Sequence, residues 1–322
     1  MATRPVLLVC LFIYTLTGNL RSQSNLSLLN ESLIRENHIK GVTEWNHPVR
    51  GDEPAEKGTK SLNARYDSNG HQVEEISYNS KGEDTRKVTS RYDNNGNRTE
   101  YVVYDSRSGR VTFSRMTGYD DKGNRTAEWG FDGLGDYRNT YHLDNEGRPS
   151  EIHYTSGRTL KEKRLFSYNG NITEISVVLP DDTVNETIHL ESNGNGELVA
   201  EAYYDNRGNL VRKVEYSWEN GLKTGERHYQ GDQMMFRNNF VYEDGLLDRI
   251  IKVDRQGRET VTNQYSYDDR SRLVRESWYN ENSGNYSSRE YSYDNYGNML
   301  SVNSYYATYR FQVLYRYDYC FF

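Results

Sequence analysis

The fold of this chain is decided by one short stretch, Tyr92-Asp93-Asn94-Asn95-Gly96-Asn97, and by its copies along the sequence. Each copy places an aromatic residue and an Asp or Asn ahead of a glycine, and several follow the glycine with Asn or Arg. Related stretches lie at residues 66–70, 78–82, 119–123, 131–135, 204–208 and 293–297. With degenerate members included, about 19 such turns recur at a spacing of about 13 residues, which is typical of a repeat fold.

The residue types of the repeat predict a β-hairpin turn. An Asp or Asn side chain bonds to the backbone of a type I turn, and glycine then supplies the left-handed conformation that closes it. About eight residues remain between turns, which is the usual length of a β-strand and short for a helix. Apolar residues alternate within these segments, as in Val214, Tyr216 and Trp218. The chain is therefore predicted to be all-β, an antiparallel hairpin-repeat meander.

Composition limits how thick this sheet can be. Apolar residues make up 34% of the sequence even with 29 tyrosines counted, and the mean hydropathy is -0.97. A compact core with two buried faces needs more apolar surface at this length. Tyrosine suits a thin sheet because its ring covers neighbouring strands while its hydroxyl stays solvated or bonded. We therefore expect the meander to form an elongated solenoid or an open curved sheet.

The first residues have the pattern of a secretory signal peptide. Residues 1–22 contain Arg4 ahead of an apolar run at residues 6–16, which is short for a membrane span. A signal anchor is the alternative to cleavage. Cleavage would leave Cys320 as the single cysteine, so no internal disulfide is expected.

Two further segments follow the signal peptide. Residues 23–60 are expected to be a leader and a loop, with one weak helix and a possible first strand at residues 40–45. Residues 61–322 are the hairpin-repeat array, and a second domain is not expected.

The last segment of the array alternates strictly between apolar and polar residues from Phe311 to Phe321. Outer-membrane barrels also end in such a strand, but their strands present a continuous apolar face to lipid. Strands that contain Arg98-Thr99-Glu100 or Arg212-Lys213 offer no such face. The segment is therefore interpreted as the closing strand of the array and not as part of a membrane barrel.

The Tyr-Asp-X-X-Gly-Asn/Arg turns, each followed by Leu or Val, resemble the YD repeats of RHS-type repeat proteins. The resemblance covers about residues 38–317. It implies a β-sheet solenoid or shell in a secreted or surface protein of bacterial type, in a family linked to toxin delivery, adhesion and carbohydrate contact. A long toxin-like extension is not expected after Phe322, so only the repeat sheet is carried over from the family.

Residue patterns that carry chemistry are scarce. The seven histidines show no metal-ligand spacing, and turns such as Asp93 to Asn97 lack the distant Glu of a calcium loop, so no metal and no cofactor are expected. The net charge of -7, with both signs mixed along the strands, argues against nucleic acid as a partner. No membrane span is expected in the mature chain. The localisation expected is secreted or in the cell envelope.

Binding through aromatic side chains is the first hypothesis for function. Trp129 and Trp278 each lie six residues before a turn glycine, so they are candidates for a ladder that stacks against sugar rings. Trp218, Tyr267 and Tyr293 are further candidates on the same reasoning. The partner expected is a surface glycan or an envelope protein, and packing within a thin sheet is the alternative role for each residue.

Two other hypotheses remain. The protein could be a structural scaffold, or an RHS-type shell component associated with toxin delivery or surface assembly, whose partners dock on strand edges or on the sheet face. An enzyme such as a glycosidase would need a positioned pair of carboxylates, and nothing in the order of the 47 acidic residues singles out two. The function predicted is therefore non-enzymatic binding.

Overall fold

The structure, a computed structural model, describes residues 30–51 and 53–322 as one short helix and 23 β-strands. The predicted signal peptide lies outside the described residues. Helix α1 spans Glu31–Glu36. Strands β1 to β23 span, in chain order, Ile39–Arg50, Glu53–Pro54, Thr59–Tyr66, Gln72–Tyr78, Asp84–Tyr92, Arg98–Asp105, Val111–Tyr119, Arg125–Phe131, Asp136–Leu143, Pro149–Ser156, Thr159–Asn169, Ile172–Val178, Val184–Ser192, Leu198–Asp205, Leu210–Glu219, Leu222–Gln230, Gln233–Glu243, Leu246–Asp254, Glu259–Tyr267, Leu273–Asn280, Asn285–Tyr293, Met299–Tyr306 and Phe311–Phe321.

The strands form a closed antiparallel barrel. From β3 to β23 each strand pairs with the next one in the sequence, and β1 pairs with both β3 and β23. The residue Val42 of β1 lies opposite Ala64 on one side and opposite Tyr319 on the other. The barrel has 22 strands, because the two-residue β2 pairs only with the end of β1 and lies outside the ring.

The predicted elongated solenoid or open curved sheet is therefore wrong. An open sheet would leave two edge strands with unpaired backbone groups, whereas the pairing of β1 with β23 satisfies both edges at once. Charged strands argue only against a barrel that faces lipid. The strand pattern leaves open whether the sheet stays flat, coils as a solenoid or curls into a shell, and the pairing of β1 with β23 decides for closure.

The turns follow the predicted chemistry. In the turn after β5, one carboxylate oxygen of Asp93 accepts the backbone N–H groups of Asn95 and Asn97, both at 2.9 Å. The other oxygen accepts the side-chain amide of Asn97 at 3.0 Å, and Gly96 has a φ of 82°. This explains why Asn, Arg or His follows the turn glycine so often. The same pattern occurs at Asp67, Asp120, Asp144, Asp205, Asp254, Asp268 and Asp294.

A second repeated bond, found at eight places, ties a hairpin to the one before it. The hydroxyl of Tyr293, at the end of β21, donates to the carbonyl of Leu273 at 2.7 Å. Leu273 begins β20, so the bond joins the end of β21 to the start of the neighbouring β20 at one end of the barrel. Equivalent bonds of 2.7 to 3.2 Å join Tyr92 to Gln72, Tyr119 to Arg98, Tyr168 to Pro149, Trp218 to Leu198, Tyr242 to Lys223, Tyr267 to Leu247 and Tyr319 to Met299. We call these donors the edge aromatics.

The two faces of the barrel differ in burial. Side chains that lie opposite each other on neighbouring strands share a face. One face carries Val42, Ile175, Val302 and Val313, and each of these residues is 0% exposed. Because a closed sheet shields its lumen, this face is taken as the inner wall. The outer face is charged, and Arg91 for example leaves 77% of its side chain exposed.

Helix α1 lies at the end of the barrel that carries the edge aromatics, and we call this the helix end. The side chain of Asn30 caps the helix by accepting the N–H of Leu33 at 2.8 Å. Ile34 is 1% exposed and joins the main apolar cluster with residues of β1, β3, β21, β22 and β23. Gly70 leaves room for the carbonyl of Glu31, because an added Cβ would lie 2.3 Å from that oxygen.

Among the described residues, no helix is long and apolar enough to cross a membrane.

Candidate functional site

The barrel contains a cavity of about 1300 Å³ against its inner wall. Side chains of β1, β3 to β7 and β23 line it, together with Asp132 from the turn after β8. Five aromatic rings, four carboxylates and three guanidinium groups face it. The rings belong to Tyr78, Tyr101, Tyr104, Phe113 and Tyr315.

An ion pair with a tyrosine occupies the centre of one wall. A guanidinium nitrogen of Arg86 donates to the carboxylate of Glu75 at 2.9 Å, and its other terminal nitrogen lies 3.2 Å from the hydroxyl of Tyr101. The guanidinium of Arg98 lies 4.9 Å from the centre of the Tyr101 ring. Phe113 packs edge-on against Tyr101 with 6.0 Å between ring centres. Charge on this wall is therefore largely neutralised, and the rings are held in fixed orientations.

A buried carboxylate also lines the cavity. Glu44 of β1 is only 6% exposed. Its carboxylate accepts the hydroxyl of Ser61 at 2.7 Å and the hydroxyl of Tyr317 at 2.8 Å. Burial raises the pKa of the neighbouring Tyr315, and the nearby Tyr306 and Glu44 add to the effect. Tyr315 therefore remains a neutral hydroxyl at any physiological pH.

Two polar atoms of the cavity wall are buried without a hydrogen-bond partner among the described residues. They are the side-chain oxygen of Asn46, an acceptor, and the Nε of Arg115, a donor. The Nε of Arg115 itself lies 3.6 Å from a carboxylate oxygen of Glu128, an ion pair that is too long for a hydrogen bond. Buried polar atoms usually have hydrogen-bond partners, and a polar molecule in the cavity can supply them. A hydroxyl group can satisfy both atoms because it donates and accepts.

The described residues contain no group of three or more His, Cys, Asp or Glu side chains that could hold a metal ion.

The two tryptophans predicted to form one ladder lie on opposite faces of the barrel. Trp129 of β8 is opposite Met116 and Arg138 on the outer face and is 40% exposed. Trp278 of β20 is opposite Asn263 and Ser287 on the inner wall. The structure therefore does not bring them together.

Spacing from a turn glycine does not predict the face that a tryptophan occupies. Trp129 lies six residues before Gly135, but the left-handed residue of that turn is Gly133, with a φ of 95°. The side chain of Asp132 accepts the N–H of Leu134 and of Gly135. Gly133 and Gly135 are two residues apart, an interval that keeps a strand position on the same face, so the choice of glycine does not account for the opposite faces of Trp129 and Trp278.

The other three predicted site residues are edge aromatics. Trp218 donates its indole N–H to the carbonyl of Leu198 at 2.7 Å, and Tyr267 bonds to Leu247 at 3.0 Å. Tyr293 makes the equivalent bond described above. These polar groups join neighbouring hairpins at the helix end, so all three residues have a structural role.

The cavity residues Glu75, Arg86, Tyr101 and Phe113 are not among the predicted site residues. No local signal marks them, because they alternate with outward-facing residues as in every other strand. They lie on the consecutive strands β4 to β7, and closure of the barrel adds Tyr315 of β23 to the same cavity.

Comparison with known proteins gives no assignment. No protein family model matches the chain, and no curated protein matches it. A solved structure of TcdB2-TccC3 is 12% identical with a TM-score of 0.28, covering 79% of this chain and 20% of that chain. This chain therefore spans about a fifth of the length of the TcdB2-TccC3 chains.

Two solved porin-like proteins also match. The one from Bacteroides uniformis is 11% identical with a TM-score of 0.28, covering 88% of this chain and 97% of that chain. The one from Bacteroides vulgatus is 12% identical with a TM-score of 0.29, covering 73% and 94%. These TM-scores are too low to support a conclusion about this chain.

Proposed function

We propose that this protein is a non-enzymatic binding protein of the cell envelope or extracellular space that holds a neutral oligosaccharide in its inner-wall cavity. The observation that carries the proposal is the cavity itself, with aromatic rings set between internally paired charges and two buried polar atoms that make no hydrogen bond within the structure. Its location rests on the signal-peptide pattern of residues 1–22 and on the resemblance of the turns to YD repeats.

The chemistry of the wall favours a neutral, hydroxyl-rich ligand. Glu75 and Arg86 neutralise each other, so an ion would have to break that pair to bind there. Hydroxyl groups can bond to Asn46 and Arg115, while Tyr101 and Phe113 offer ring surfaces that pack against the apolar faces of a sugar. A carbohydrate supplies both kinds of surface in one molecule.

Support for a non-enzymatic role comes from the cavity carboxylates. Glu44 is held by Ser61 and Tyr317, and Glu75 is held by Arg86. Neither has the freedom expected of a general acid and a nucleophile that act in turn on a glycosidic bond. Release of reducing ends from a bound oligosaccharide would contradict this part of the proposal.

Calorimetric titration with neutral hexasaccharides of glucose and of N-acetylglucosamine tests binding. We expect Phe113→Ala to weaken the affinity at least tenfold for the hexasaccharide that binds, since it removes a ring from the cavity wall. Trp129→Ala is the matched control, because it removes an aromatic ring from the adjacent strand on the outer face. Equal losses in both variants, or no heat with any of these probes, would contradict the proposal.

A further inference from the structure

A set of aromatic rings on the inner wall lies outside the cavity lining. Trp278 of β20 meets Tyr306 of β22 edge-on, with 6.4 Å between ring centres. Tyr306 in turn stacks with Phe311 of β23 at 6.4 Å and an interplanar angle of 21°. Phe311 is 44% exposed. We call these three residues the aromatic platform, and it lies toward the end of the barrel opposite α1.

Polar groups accompany the platform. The guanidinium of Arg289 lies 5.3 Å from the centre of the Trp278 ring and pairs with Glu276 at 3.2 Å. Burial acts against the charge of Arg289, but a hydrogen bond with Tyr306 and the nearby Tyr291 and Glu276 outweigh it, so its pKa is raised. The cation is therefore permanent.

Two polar atoms beside the platform are buried without a hydrogen-bond partner among the residues of the structure. They are Nε of Arg289 and the hydroxyl of Ser304, and these two residues are direct cross-strand neighbours. Ser304 is 0% exposed. As in the cavity, polar groups are available beside aromatic rings. Nε of Arg289 can donate a hydrogen bond, and the hydroxyl of Ser304 can both donate and accept one.

The platform is continuous with the cavity. Tyr315 lines the cavity, and it lies on the same strand and the same face as Phe311. It is also close enough to Tyr306 for that neighbour to raise its pKa. A chain of sugar units could therefore extend from the cavity along β23 to the platform.

We infer, on the basis of the proposed function, that Trp278, Tyr306 and Phe311 form a second subsite on which a sugar ring stacks. Arg289 and Ser304 are its polar contacts. A ligand longer than a disaccharide occupies the cavity and the platform together. A disaccharide occupies the cavity alone. The protein therefore selects for chain length.

Titration of the full chain with a disaccharide and with the hexasaccharide of the same sugar tests the inference. We expect Phe311→Ala to weaken hexasaccharide binding about tenfold and to leave disaccharide binding unchanged. Tyr305→Ala is the matched control, because Tyr305 neighbours Tyr306 on β22 but faces outward and is 38% exposed. It should change neither affinity by more than twofold.

The outcomes separate the two proposals. If Phe311→Ala binds the hexasaccharide as tightly as the parent chain while Phe113→Ala does not, the second subsite is wrong and the cavity remains. If the parent chain binds neither sugar, both proposals are wrong. Tryptophan fluorescence supplies a second readout, since the hexasaccharide should shift the emission of the parent chain and the shift should be lost in Trp278→Phe. A shift that persists in Trp278→Phe would also count against the subsite.

Discussion

Each edge aromatic ties two hairpins together through one polar atom. The backbone ladder pairs β20 with β21, and the hydroxyl of Tyr293 at the end of β21 adds a side-chain bond to the carbonyl of Leu273, where β20 begins. Since β20 and β21 belong to successive hairpins at the helix end, the bond joins one hairpin to the next, and it occurs at eight places around that end. Tyrosine is abundant because its ring covers the inner wall while its hydroxyl makes this contact.

Removal of one such hydroxyl should destabilise the barrel. We expect Tyr293→Phe to lower the free energy of unfolding by about 1 kcal/mol, because it leaves the Leu273 carbonyl without its donor. Tyr296→Phe is the control from the same turn, since Tyr296 is 77% exposed, and it should leave stability unchanged. Urea denaturation measures both, and equal midpoints for the two variants would count against the role of the edge aromatics.

The carboxyl of Glu226, on the inner wall, should make the free energy of unfolding depend on pH. A hydrogen bond with His228, followed by those from Lys223 and Asn238, lowers the pKa of this carboxyl to about 2 against the opposing effect of burial. Because the pKa of this carboxyl is lower in the folded than in the unfolded protein, its charge stabilises the fold at any pH above the unfolded-state pKa. The stabilisation is lost as the pH falls toward 2. Glu226→Gln is expected to cost about 2 kcal/mol at pH 7.

The same cost should shrink between about pH 4.5 and 2, where the parent carboxylate becomes protonated. Denaturation at pH 7, 5 and 3 measures the difference, with the exposed Glu243→Gln as control. A cost for Glu226→Gln that stays constant down to pH 3 would show that its charge is not the cause.

The turns are the elements that the sequence specifies best. Asp93 and Gly96 have the bonding and the backbone conformation that their residue types predict. The turn after β8 differs, because its left-handed position is occupied by Gly133 and not by Gly135. Two glycines within three residues made the choice ambiguous, and only the hydrogen bonds of Asp132 resolve it.

This assignment can be tested by adding a single methyl group. Gly133→Ala should cost about 1 kcal/mol because alanine is strained at a φ of 95° and its Cβ would lie 3.4 Å from the Thr112 carbonyl. Gly135→Ala should be neutral, since Gly135 has no positive φ and no atom lies within 4 Å of an added Cβ. Thermal unfolding of the two variants decides the matter, and the reverse order of stability would overturn the assignment.

Strand positions could be predicted, but the direction in which each face points could not. The alternation from Phe311 to Phe321 identified β23 correctly, and the weak helix near Ile34 is present as α1. Trp129 and Trp278 were assigned to one face because their distances from a glycine matched. A face is defined only relative to the whole ring, so residue spacing along one hairpin cannot establish it.

Closure is the property of the whole molecule from which the cavity follows. The pattern that predicts strands is the same for an open sheet and for a ring, because all but the two edge strands of an open sheet have the same two neighbours in either case. Only the register between β1 and β23 distinguishes the two. Charged side chains on the strands argue only against a barrel that faces lipid, and they leave open a barrel whose more apolar face points inward. The complete candidate site was therefore unpredictable, since Tyr315 of β23 reaches the cavity that holds Tyr101 and Phe113 only across the closed seam.

The seam offers a direct test that uses the native cysteine. Gly41 of β1 lies opposite Cys320 of β23, and a Cβ added at Gly41 would lie 4.0 Å from the Cβ of Cys320. That distance suits a disulfide. The added Cβ would also lie 3.3 Å from the Ala64 carbonyl, so a small local adjustment is expected.

The decisive measurement is disulfide formation in Gly41→Cys on a Cys10→Ser background, at a protein concentration low enough to prevent dimers. The closed barrel predicts an intramolecular bond between residues 41 and 320, seen as a linked peptide by mass spectrometry and as loss of alkylatable thiols. Glu174→Cys, on the exposed face of β12, is the control and should keep both thiols free. Free thiols in Gly41→Cys as well, in a folded protein under oxidising conditions, would contradict closure.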